Sequence, residues 1–130
     1  MVNITRSAPL TLLGRLHPDT ACDPAGNASQ RNLVHIWNNL HILPRITNAA
    51  TLTVARPHGQ QFGNTDFKAY NIDFENRAAN YSISQALVGS FSYANVSFYG
   101  CTFASWQDTW YAGHGAYSYA VDSIIYGQTD

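Results

Sequence analysis

Asp108 and Asp130 stand 22 residues apart, and so do Gln85 and Gln107. In a chain that coiled with this period, each pair would stack one turn upon the next. Two carboxylates held a few ångströms apart cannot both ionise easily, so one of them keeps its proton. Such a pair supplies an acid and a base, or an acid and a nucleophile, at one pH. The amides of Gln85 and Gln107 offer donors beside the carboxylates. Donors placed where an oxyanion develops stabilise acyl-transfer transition states. Trp106, Trp110 and Tyr111 flank the pair, and aromatics next to acids are a common sugar-binding arrangement. Two plainer readings stand beside this one: an Asp ladder that only supports a coil, and aromatics that belong to the core.

The elements that must position these residues read as short alternating strands separated by turns. Leu10-Thr11-Leu12-Leu13-Gly14 and Ala50-Thr51-Leu52-Thr53-Val54 are strand-like. Residues 15 to 30 are loop-like, with Pro18, Pro24 and Gly26. The stretch from Asn32 to Leu43 has mixed signals, but its β-branched and aromatic residues favour an irregular strand. After residue 66 a repeat emerges. Tyr70-Asn71-Ile72-Asp73-Phe74, Tyr99-Gly100-Cys101-Thr102-Phe103 and Val121-Asp122-Ser123-Ile124-Ile125 share their apolar spacing, at offsets of 29 and then 22 residues. A second strand set runs through Ser84-Gln85-Ala86-Leu87-Val88, then Trp106 to Tyr111, then Gln128-Thr129-Asp130. Repeats of this length with two or more strands each predict an all-β, right-handed parallel β-helix, one partial domain over residues 1–130. Ile72, Phe74, Cys101, Phe103 and Ile125 are its expected core ladders. An antiparallel sandwich is the alternative, but hairpin signals such as Asn-Gly are lacking between these strands.

Composition narrows the function classes. Apolar residues make up 45% of the 130, and charged residues only 12%, about half the usual share. Tyr, Asn, Ser, Thr and Gln supply the polarity, as suits a secreted, carbohydrate-handling β protein. A net charge of −1 argues against a nucleic-acid partner. No stretch is long enough to span a membrane as a helix, and no signal peptide is visible. Sequons at Asn3, Asn27, Asn80 and Asn95 mildly favour an extracellular protein. Cys22 and Cys101 are either one disulfide or two thiols. His17, His35, His41, His58 and His114 show no zinc-type spacing. They are expected on loops or the surface, with no metal-ligand cluster.

Gly100-Cys101-Thr102-Phe103-Ala104-Ser105-Trp106-Gln107-Asp108-Thr109-Trp110-Tyr111 resembles the pectin methylesterase signature around its Gln-Asp-Thr motif. Phe67 to Asn76 resembles the strand before that family's first active-site glutamine, and Ser84-Gln85-Ala86-Leu87 the glutamine's own segment. Tyr126-Gly127-Gln128-Thr129-Asp130 resembles the start of the second signature. The likeness covers nearly the whole chain, is strongest from 67 to 130, and is closest to fungal members. It implies hydrolysis of the C6 methyl esters of polygalacturonate, with release of methanol. Asp130 would be the nucleophile, and Asp108 the acid for methanol and then the base for water. Gln107 and Gln85 would hold the oxyanion, and Tyr111 would contact substrate. It further implies no metal or organic cofactor, pectin as partner and a monomer.

The sequence also departs from the family pattern. The family's early Gly-x-Tyr-x-Glu segment, the aromatic run after the nucleophile, and the later Arg and Trp are absent. These departures predict a fragment, inactive as it stands, or a non-catalytic solenoid that binds polysaccharide. A pectate-lyase-like solenoid would want calcium-binding acids with a basic Arg or Lys, and no such set is read.

Overall fold

The computed structural model describes residues 1–18, 31–41, 49–79, 81 and 83–129. Cys22, Asp130 and the sequons at Asn27 and Asn80 therefore lie outside the described residues, at least in part. So do the ends of the expected 15–30 loop and of the 32–43 stretch.

Twelve short strands follow one another: β1 Val2–Ile4, β2 Leu10–Leu13, β3 Val34–Asn38, β4 Leu52–Ala55, β5 Phe67–Tyr70, β6 Ile72–Asn76, β7 Gly89–Ser92, β8 Asn95–Tyr99, β9 Thr102–Ala104, β10 Trp110–Ala112, β11 Tyr117–Val121 and β12 Ile124–Tyr126. They form three sheets of four strands, ordered β1-β4-β7-β10, β11-β8-β5-β2 and β12-β9-β6-β3. Every pairing is parallel. Each run of three strands is one coil, and four coils stack as in a parallel β-helix. The expected all-β solenoid is what the chain forms.

The register accounts for the repeat seen in sequence. Asp73 pairs with Thr102, an offset of 29, and Thr102 with Ile124, an offset of 22. The residue between the second and third strands of a coil takes the left-handed conformation each time: Asn71 at φ 54°, Gly100 at 61° and Asp122 at 47°. Glycine, Asn and Asp are the residues that tolerate this region. The ladder runs on through these corners, with Gly14, Asn71 and Gly100 donating to Tyr70, Tyr99 and Val121 on the next coil.

The core fills the space between the three sheets. Phe67, Phe74, Phe91, Phe98 and Phe103 are all fully buried. Phe74 and Phe103, partners in the ladder, stack at 5.2 Å, and Phe98 packs edge-on to Phe103 at 4.8 Å. Ile72 and Cys101 are buried as expected, and burial pushes the Cys101 thiol above its usual pKa. Ile125 departs from expectation: it continues the Phe74–Phe103 column but is 45% exposed. Its strand β12 is the outermost of its sheet among the described residues. A coil covered on one side alone leaves part of its inward face open.

Buried polar groups fasten one coil to the next. Asn38 and Asn76 are ladder partners, at 7% and 5% exposure. The Asn76 amide donates to the Leu40, Ala49 and Leu87 carbonyls, and Asn38 donates to Ala49. These bonds satisfy carbonyls that the chain exposes as it leaves the third sheet.

Phe98 touches Phe67, Phe74, Phe91 and Phe103 across all three sheets. Phe98→Ala is expected to cost about 3–5 kcal/mol, read as a lower urea midpoint at unchanged slope.

Candidate functional site

The segment from Ser105 to Thr109 links β9 to β10 and is held by its own side chains. Ser105 Oγ donates to the Gln107 carbonyl at 3.2 Å and shares a hydrogen bond with Thr109 Oγ1 at 2.9 Å. Thr109 Oγ1 donates in turn to the Tyr126 carbonyl of the next coil at 3.1 Å. That contact requires Gly127, since a Cβ there would lie 2.6 Å from Thr109 Oγ1. Asp108 is left-handed at φ 55°, a conformation Asp tolerates better than most residues. Such backbone often marks a functional position.

The register brings the next coil alongside. Gln107 pairs with Thr129, an offset of 22, and the Asp108 amide donates to the Thr129 carbonyl at 3.2 Å. On the other side, Ala86 donates to the Gln107 carbonyl at 3.2 Å. Val88 and Gly89 then both donate to the Thr109 carbonyl, at 3.1 and 3.0 Å. Two residues facing one make a β-bulge, after which Gly89 pairs with Trp110 at an offset of 21. The bulge corrects one expectation. Ser84 to Val88 is not a strand, and β7 begins only at Gly89. Likewise the strand expected from Trp106 is shorter, with β10 beginning at Trp110.

A cavity of about 500 Å³ opens here, lined by Gln85, Asp108, Trp110, Tyr111, Tyr126 and Gln128 among others. It brings Gln85 and Asp108 together. The Gln107 and Trp106 side chains are not part of its lining. The Trp106 carbonyl instead accepts hydrogen bonds from the Gln128 and Thr129 amides. Asp130 lies outside the described residues. Tyr111 is 47% exposed on the cavity wall. Trp110 has a double role. It lines the cavity, but its ring also packs edge-on against Phe91, Phe98 and Phe103 at 4.8, 5.3 and 4.8 Å. It is as much core as wall.

A second cluster corrects the reading of the histidines. His35 lies on β3, not in a loop, and faces Asp73 of β6 across the ladder. His35 Nδ1 lies 3.2 Å from Glu75 Oε1 and 3.5 Å from Asp73 Oδ2. Asp73 is 2% exposed, and burial raises its carboxyl above the usual range despite Asn32, Thr102 and His35. The Arg77 hydrogen bond, at 2.7 Å, holds Glu75 below its ordinary value. The 38-residue offset between His35 and Asp73 was the available signal, but an isolated offset has no repeat to reveal it.

Two outcomes are expected. Trp110→Ala should cost about 2–3 kcal/mol, near the lower end for aromatic truncation, while Tyr111→Ala should change stability by less than about 0.5 kcal/mol; urea unfolding separates them. Glu75→Gln should cost about 1 kcal/mol at neutral pH. A depressed carboxyl stabilises above its unfolded value, 4.5, and that stability is lost as pH falls through the folded value. The difference from the unsubstituted protein should therefore close on acidification.

No family model matches the chain, and neither a curated protein nor a solved structure matches it. The functional reading rests on the residues and their geometry.

Proposed function

We propose that the chain is built for carboxylic ester hydrolysis on methyl-esterified polygalacturonate, in the manner of the pectin methylesterases its motifs resemble. The observation that carries this reading is the pairing of Gln107 with Thr129 beside a cavity lined by Asp108 and Gln85. One residue further in the same register, Asp130 would stand next to Asp108.

The chemistry follows from that pair. The Asp130 carboxylate attacks the C6 carbonyl, and the carbonyl oxygen becomes an oxyanion. The Gln85 and Gln107 amides are the donors assigned to it. Asp108 gives its proton to the departing methoxide, which leaves as methanol. The acyl group is then an anhydride on Asp130. Asp108, now ionised, takes a proton from water, and the hydroxide opens the anhydride. Galacturonate is released and both carboxyls return to their starting states. Tyr111 and Tyr126, at 47% and 54% exposure on the cavity wall, offer faces for sugar rings. A cell-wall polysaccharide as substrate places the protein's work outside the cell.

A polysaccharide-binding solenoid without turnover is the second reading, and the same two exposed tyrosines favour it. The two separate in one experiment on purified protein and highly methyl-esterified pectin. Ester hydrolysis predicts methanol release that falls about 100-fold or more in Asp108→Asn. Retention on pectin without methanol, weakened by Tyr111→Ala, would select the binder. Neither methanol nor retention would overturn both.

A further inference from the structure

We infer that His35, Asp73 and Glu75 form a binding site for one zinc-type divalent cation on the outer face of the β3–β6 pair. The three ligand atoms lie within 4.8 Å of one another. Their individual spacings are the stronger argument. Zinc binds imidazole nitrogen and carboxylate oxygen at about 2.0–2.2 Å in tetrahedral geometry, which puts neighbouring ligand atoms about 3.3–3.6 Å apart. His35 Nδ1 stands 3.5 Å from Asp73 Oδ2 and 3.2 Å from Glu75 Oε1.

Both carboxylates are also aimed. Asp73 accepts from Asn32 Nδ2 at 2.6 Å through Oδ1, which leaves Oδ2 turned to His35. Glu75 accepts from Arg77 Nε at 2.7 Å through Oε2, which leaves Oε1 turned to the same nitrogen. Outer donors that fix one oxygen and present the other are the usual support of metal ligands. Asn32 is itself fixed by a second bond, to the Gly100 carbonyl at 2.9 Å. Arg77 lies over the Trp37 ring at 4.9 Å.

An independent observation points the same way. Thr102 is 1% exposed and pairs with Asp73 in the ladder. Its hydroxyl leans towards the Asp73 carboxylate, yet Oγ1 makes no hydrogen bond. A buried hydroxyl without a partner costs stability, and a cation with its bound water supplies one. The His35 side chain is 42% exposed, so an ion can enter from solvent, and water takes the fourth position. Two carboxylates and one divalent ion leave the site neutral. The bound ion would clamp β3 to β6 and so join the first coil to the second. The site is separate from the cavity at Asp108 and does not depend on ester hydrolysis.

The test is calorimetric titration of Zn²⁺ into chelator-stripped protein, with Co²⁺ as a spectroscopic probe. One Zn²⁺ per chain and the visible bands of tetrahedral Co²⁺ are expected, with a higher melting temperature when the metal is bound. His35→Ala and Glu75→Gln should each weaken binding about tenfold or more. Both positions are partly exposed, so the variants should stay folded. The absence of saturable binding, a six-coordinate Co²⁺ spectrum, or unchanged affinity in both variants would overturn the site.

Discussion

Main-chain pairing between successive coils is the constraint on which everything else depends. A three-stranded coil of this chain has one apolar face per strand and nothing of its own to cover it. Only a neighbour in parallel register satisfies the amides and carbonyls and closes the core at the same time. Equivalent side chains then fall into columns about 4.8 Å apart. The Phe74–Phe103 stack and the paired Asn38 and Asn76 amides are such columns. So are Asp73 with His35, and Gln107 with Thr129. Core, fastening and candidate chemistry therefore share one geometric cause.

Coils of unequal length keep this register because their corners are conserved in conformation. Between the second and third sheets, Asn71, Gly100 and Asp122 make the same left-handed turn. Extra residues go elsewhere. The second strands of the first two coils are offset by 57 residues, against 29 for the next pair and 22 for the last. Insertions outside the strands leave the pairing intact, as loop closure costs only slowly more with length. The bulge at Val88 and Gly89 is the local exception. It changes the offset from 22 to 21 just where the Asp108 turn meets β10, and bulges of this kind commonly sit beside functional sites.

These facts explain what could be read from the residues. The stretches at 70–74, 99–103 and 121–125 carry their corner residue and apolar pair in plain alignment, so the solenoid was legible there. The first coil was not, because offsets of 50, 57 and 38 hide its strands among insertions. The His35 cluster was lost for the same reason. Trp110 could not be assigned from sequence, since its ring reaches both the cavity and the core. Ser84 to Val88 has strand-like residues, but a bulge is a backbone event that composition does not encode. Ile125 has the inward pattern, yet its burial depends on what stacks upon it.

The central claim is that one coil register brings Asp108 and Asp130 to the same place. Mild oxidation of the Asp108→Cys/Asp130→Cys double variant tests it directly, with the bridge located by peptide mapping. Residues facing each other on adjacent coils have Cα atoms about 5 Å apart, within the range a disulfide spans, about 4.4–6.8 Å. The account predicts rapid formation of a 108–130 bridge in the folded protein, at unchanged β content. Two thiols that stay reduced, or that bridge only to other cysteines, would contradict it.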